Sequence, residues 1–208
     1  MVKYETIRSK LQSGDIVLFS GKGGLSTGIK WFTASRWSHL GMVVRPLDFD
    51  VVLLWEASPI TDIKDIQSGK IHKGVRLVAL SERIQTYEGE VAIRLLEVQR
   101  NPKMLEALNR LRRELKNRPF EKDVIELLKS AWDGPLGDNV ADLSSLFCSE
   151  LVAEAYQHMG LLSRRKPSNE YTPRDFSEQG QLKLLKGRLG KERAIRKASL
   201  SGGDSRGG

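Results

Sequence analysis

The stretch Leu146-Phe147-Cys148-Ser149-Glu150-Leu151-Val152-Ala153-Glu154-Ala155-Tyr156 holds the only cysteine of a 208-residue chain. Apolar residues at 147, 151, 152, 155 and 159 recur with the period of a helix laid on a core. Ser144 or Ser145 is an N-cap candidate, which places Glu150 in the acid-favouring first turn and Cys148 at or near the helix start. Free N–H groups and the positive end of the helix dipole favour a thiolate there. A nucleophilic cysteine fits the segment, and so does a buried structural one, because free cysteine is among the most buried residue types.

Upstream of it the chain alternates apolar β-rich runs with turns. Ser13-Gly14-Asp15 turns into Ile16-Val17-Leu18-Phe19, a buried strand. The glycines at 21, 23, 24 and 28 miss a phosphate-binding loop, because Ile29 stands where its lysine belongs. A short helix is expected over 25–34. Ser38-His39-Leu40-Gly41-Met42-Val43-Val44 opens a second strand with His39 at its start, and Gly41 inside it signals a bulge or a close approach. Val51 to Ala57 forms a third strand after the Asp48-Phe49-Asp50 turn, making an antiparallel hairpin. His39 begins one strand and Glu56 ends the next, so the hairpin brings an imidazole and a carboxyl to one end of its ladder.

Strands at 74–78 and 91–96 enclose a short helix over 79–87, and Asn101-Pro102 starts a helix reaching about Lys116. Residues 124–132 read as helix, 172–176 as a short capped helix and 182–189 as a last strand. The pattern is α+β without repeats, a single domain over 1–190 followed by a basic, Gly/Ser-rich disordered tail over 191–208.

Composition narrows the functions. Hydrophobic content of 39% with 29% charged residues is that of a globular chain. One cysteine excludes an intrachain disulfide and a cysteine-based zinc cluster, and suits a reducing compartment. The N-terminus lacks a signal-peptide pattern and the longest apolar run is too short to span a bilayer, so a cytoplasmic protein is expected. Residues 181–208 carry eight basic residues against two acids, a net +6 of the chain's +8, so the basicity belongs to the C-terminus. It suits a weak contact with an anionic surface. Without interleaved aromatics it offers no specific nucleic-acid site.

Sulfur nucleophilic catalysis needs a thiol, an imidazole and a group that holds the imidazole. His72 lies in a polar loop, and His158 is ten residues past Cys148, roughly 15 Å along the helix. His39, framed by core-like residues at a strand start, is the remaining candidate. No His-x-x-x-His or Cys-x-x-Cys pair suggests a metal, and no cofactor is expected.

The ordered set Ser13-Gly14-Asp15-Ile16-Val17-Leu18, Ser38-His39-Leu40-Gly41-Met42-Val43, Phe147-Cys148-Ser149-Glu150-Leu151-Val152 and Tyr171-Thr172-Pro173 resembles the circularly permuted NlpC/P60 cysteine hydrolases. Its YiiX/YebB-like branch is the nearest in pattern, and the lecithin:retinol acyltransferase-like enzymes are more distant. The resemblance spans roughly residues 11–178, with the histidine before the cysteine. It implies a permuted papain-like fold, an antiparallel sheet with the nucleophile-bearing helix packed on it. It further implies Cys148 as nucleophile, His39 as base, Glu56 as the polar third member and the Cys148 N–H in an oxyanion hole. Tyr171 would line the substrate pocket and Asp15 would buttress the site. The expected activity is that of a thiol hydrolase on amide or peptide bonds. A lipid-directed acyltransferase or esterase, and a non-catalytic binding module, are the alternatives.

Overall fold

The structure, a computed structural model, describes residues 1–21, 35–58, 62–116 and 138–197, with 138–146 described through their backbone only. Strands β1 (Val2–Lys3), β2 (Ile16–Gly21), β3 (His39–Val44), β4 (Leu53–Ser58), β5 (Gly74–Ala79), β6 (Gly89–Arg94) and β9 (Arg193–Arg196) build a seven-stranded sheet in the order β1-β9-β6-β2-β3-β4-β5. All neighbours are antiparallel except β1 with β9. A small second sheet joins β7 (Leu96–Glu97) to β8 (Arg188–Leu189). Among the described residues the α-helices are α1 (Tyr4–Arg8), α2 (Leu80–Thr86), α3 (Pro102–Glu114) and α4 (Asp138–His158). The architecture is therefore mixed α+β around a large, mostly antiparallel sheet.

The sheet is covered on both faces, and this explains the apolar strands. Every residue of β2, β3 and β4 is buried. An antiparallel strand with one wet face would alternate apolar with polar; one covered on both sides need not. Leu18, Leu40, Met42, Trp55 and Leu77 face one cluster, which they share with Leu108, Leu111, Cys148 and Val152 of α3 and α4. Val17, Phe19, Val43, Leu54 and Val78 face the other, with Ile7 of α1 and Leu80 and Ile84 of α2.

Local chemistry sets several element ends. Asn101 caps α3, its Oδ1 accepting from the Met104 N–H at 3.0 Å, with Pro102 in the first turn. Gly14 holds φ +96° at the turn into β2, a conformation that suits glycine. A side chain there would also press on Leu96. The turn carbonyl is used as well: the Tyr156 hydroxyl on α4 donates to Gly14 O at 2.7 Å.

Four expectations need correcting. The helix bearing Cys148 begins at Asp138, so Cys148 lies in its interior and neither Ser144 nor Ser145 caps it. Residues 172–176 form a turn, in which Asp175 Oδ2 accepts from the Thr172 N–H at 2.7 Å and hydroxyl at 2.8 Å. The strand expected over 182–189 is confined to β8, Arg188–Leu189. Finally, the stretch assigned to a tail enters the main sheet at Arg193–Arg196, pairing with both β1 and β6. Ile195 supplies a buried position there, and its flanking charges disguise a half-buried strand. The helices expected over 25–34 and 124–132, the glycine loop beyond Gly21 and the tail past Lys197 lie outside the described residues.

Candidate active site

The β3–β4 hairpin forms as expected, with Met42 opposite Trp55 and Val44 opposite Leu53. Continued by one residue, this register sets Gly41 across from Glu56 and leaves His39 diagonal to it on the same face. The side chains meet: His39 Nε2 lies 2.6 Å from Glu56 Oε2. Gly41 makes room for this. A Cβ at Gly41 would come within 2.8 Å of Leu54 Cδ1 and 3.1 Å of Glu56 Cβ, so the close approach suggested by a glycine in the strand is that of β4.

Glu56 has no solvent exposure, and its charge is answered by two arginines. Arg76 sits directly opposite it on β5, donating from Nε at 3.0 Å and Nη2 at 2.6 Å to Glu56 Oε1. Arg83, reaching from α2, donates from Nε to the same oxygen at 3.1 Å. The Arg83 guanidinium also rests over the Phe19 and Tyr87 rings, each 4.9 Å away, and Phe19 packs on the His39 ring at 5.5 Å. Burial alone would raise the Glu56 carboxyl, but Arg83, Arg76 and the His39 hydrogen bond hold it well below the usual carboxylate range. His39 is moved the other way. Burial lowers its pKa, assisted by the two guanidiniums, against the pull of the Glu56 carboxylate.

The protonation pattern follows. An ionised Glu56 only accepts, so His39 Nε2 carries the proton and donates to it. The unprotonated nitrogen of the neutral ring is then Nδ1. Glu56 fixes the tautomer and leaves Nδ1 as the basic atom.

Cys148 is wholly buried in the cluster on the α4 face of the sheet. Alternation along β3 sends Leu40 and Met42 to that face and His39 and Gly41 to the other. Cys148 meets β3 at the backbone of Leu40, the residue after His39. Burial pushes its thiol up to about 12, with a hydrogen bond from the Leu40 backbone lowering it and the Glu56 charge raising it further. The thiolate expected at a helix start is thus replaced by a neutral thiol in a helix interior, where the dipole of the first turn no longer acts. Cys148 lies ten residues into the helix, and the backbone N–H groups of Ser149 and Cys148 itself also bear on the sulfur, lowering the thiol.

Tyr171 lies beside this segment. The Ser149 hydroxyl donates to Tyr171 O at 2.5 Å, and Tyr171 is buried in the same cluster as Cys148. Asp15 does not join the group. Phe19 pairs with His39, and Asp15 precedes it by four residues, roughly 13 Å along the strand. Its carboxylate instead accepts from the Gln12 and Leu96 N–H groups and from Arg100 at 2.7–2.9 Å. Its work is to fasten the start of β2 to β7. His72 stays remote on a loop, its Nδ1 3.3 Å from Lys73 O. Among the described residues no group of three or more His, Cys, Asp or Glu side chains could hold a metal ion. Nor, among them, is any helix long and apolar enough to cross a membrane.

Arg76 and Arg83 escaped the sequence reading. Arg76 had a visible signal, a charge in the middle of the apolar strand Gly74-Val75-Arg76-Leu77-Val78, which calls for a buried counter-charge. Arg83 had none, because its partner is distant in sequence.

No family model matches the sequence, and no curated protein matches it. Among solved structures, the crystal structure of the metalloprotein YiiX from Escherichia coli O157:H7 is similar. It is 17% identical, with the match covering 89% of this chain and 97% of that chain at a TM-score of 0.48. A likeness of that size assigns neither activity nor site residues.

Proposed function

We propose that the chain is a thiol-dependent hydrolase of the amidase or peptidase type, with a permuted papain-like fold related to the NlpC/P60 enzymes. The observation that carries this reading is the buried His39–Glu56 contact at 2.6 Å, which leaves Nδ1 as the unprotonated imidazole nitrogen, one residue from the backbone that meets Cys148. In the reaction, Cys148 Sγ bonds to the substrate carbonyl carbon as its proton passes to His39 Nδ1. The tetrahedral intermediate breaks its bond to the leaving amine or alcohol, which takes the proton from Nδ1. Water then attacks the thioester, giving its proton to Nδ1, and the acid departs as the proton returns to sulfur. Glu56 stays ionised throughout and holds the imidazolium when it forms. Lipid acyl esters are alternative substrates for the same steps.

One observation favours a second reading, a non-catalytic binding module. Cys148 is wholly buried with its thiol pushed up to about 12, as for an inert structural cysteine.

Acylation by a set of p-nitrophenyl esters, followed by intact mass, separates the two. The hydrolase gives a thioester adduct on Cys148 that is absent from Cys148→Ser and forms about 100-fold more slowly in His39→Ala. Acylation no faster in the folded protein than in the urea-unfolded chain, or equal rates with and without His39, leaves the binding module.

A further inference from the structure

The two arginines on Glu56 are more than counter-charges, because both reach one oxygen. Arg76 Nε and Nη2 and Arg83 Nε all converge on Oε1, at 3.0, 2.6 and 3.1 Å. Oε2 is left to His39 at 2.6 Å, with only a long 3.4 Å contact from Arg83. A carboxylate free to rotate about its last torsion could offer either oxygen. One pinned on Oε1 from two elements offers Oε2 alone, in one direction. Both arginines are themselves held, Arg76 by its place opposite Glu56 in the ladder and Arg83 by the Phe19 and Tyr87 rings beneath it.

We propose that Arg76 and Arg83 are positioning residues, which fix the Glu56 carboxylate so that Oε2 alone is presented to His39 Nε2 and the ring is held as the Nε2–H tautomer. This makes an Arg–Glu–His relay of the expected Glu–His pair. Its catalytic consequence rests on the hydrolase reading, but the relay itself does not.

Among the described residues, the charged groups acting on His39 come from three elements: Glu56 of β4, Arg76 of β5 and Arg83 of α2. Arg83 is the arginine to change, since its side chain is 12% exposed against 1% for Arg76. Removing its charge relieves the repulsion felt by a protonated His39 and loosens the grip on Oε1.

The measurement is an NMR titration of His39 with ¹⁵N ring detection, run beside the pH profile of Cys148 acylation. Wild type is expected to show the Nε2–H tautomer at neutral pH. In Arg83→Gln the His39 titration moves up by about one pH unit, and the Nδ1–H tautomer becomes detectable. The acid limb of acylation moves up with it, because a base must be unprotonated. Arg83→Lys keeps the charge and stays near wild type in titration midpoint. Should Arg83→Gln not fold, Arg83→Met, whose side chain packs on the same two rings, carries the same expectation. A folded Arg83→Gln or Arg83→Met protein with unchanged midpoint and tautomer overturns the relay. So does slower acylation with an unshifted pH profile, the mark of a merely structural arginine. Absence of acylation in wild type defeats the hydrolase reading instead and leaves the tautomer result standing.

Discussion

Replacing Glu56 by glutamine keeps the shape of the side chain and removes its charge, leaving two guanidiniums facing a neutral amide. Arg76 and Glu56 are both fully enclosed, so no water can take the place of the lost carboxylate. Breaking a buried ion pair from one side costs about 3–5 kcal/mol, mostly from the stranded charge. With a urea dependence of about 2 kcal/mol per molar, the unfolding midpoint should fall by about 2 M. Removing the stranded charge as well, in Glu56→Gln/Arg76→Met, should recover half or more of that loss, because an apolar pair of similar volume is tolerated where a lone charge is not. The pH dependence has a definite sign. The folded pKa of Glu56 lies well below its ordinary value of 4.5, so its contribution is fully present above about 4.5 and is lost only as pH falls through the folded value. The stability difference between wild type and Glu56→Gln should therefore be constant from pH 8 to about 5 and shrink only in stronger acid. Urea titrations followed by tryptophan fluorescence at several pH values measure both. A Glu56→Gln midpoint within about 0.5 M of wild type would refute the claim that this cluster is dry and mutually dependent.

Two further perturbations test the geometry around it. Gly41→Ala drives a methyl against Leu54 and the Glu56 Cβ, so it should cost about 1–3 kcal/mol and disturb the His39 titration, while an alanine at the exposed Gly69 should leave the histidine alone. Cys148→Ala tests the buried thiol: a group raised from 9.0 to about 12 stabilises fully below pH 9 and loses that contribution as pH climbs towards 12. The wild-type advantage over Cys148→Ala, measured by melting temperature, should thus shrink by about 2 kcal/mol between pH 8.5 and 10.5; a gap that does not change with pH means the thiol is solvated.

Much of the fold was legible because the strands are punctuated by turns and the hairpin by a short loop. His39 and Glu56 could be paired from the register of two adjacent strands, since an antiparallel ladder fixes which ends meet. The errors share a physical source. Asn101 announces α3 because its cap and Pro102 are local, whereas the start of α4 carries no such signal near Ser144, and the apolar stripe near Cys148 was mistaken for the whole helix. The short β1 and β9 strands went unread because their pairing is with each other and with β6, far away in sequence, and β9 carries arginines at both ends. Arg83 reaches Glu56 from another element, which composition cannot disclose.

The corrected helix start changes what the proposed chemistry demands. A thiolate–imidazolium pair at rest would need the sulfur to be the stronger acid. Here burial pushes the thiol up to about 12 and lowers His39, so moving the proton from sulfur to Nδ1 is uphill. Such a cost suits an activated ester better than a peptide bond unless substrate binding itself narrows the gap. The nucleophile must therefore be generated during attack, with the developing imidazolium held by Glu56, rather than stored beforehand as a thiolate. The arginines sharpen this requirement. They keep Glu56 ionised to receive the imidazolium, yet their charge opposes its formation, so a cluster tuned this way favours a neutral, tautomerically fixed base over a charged one.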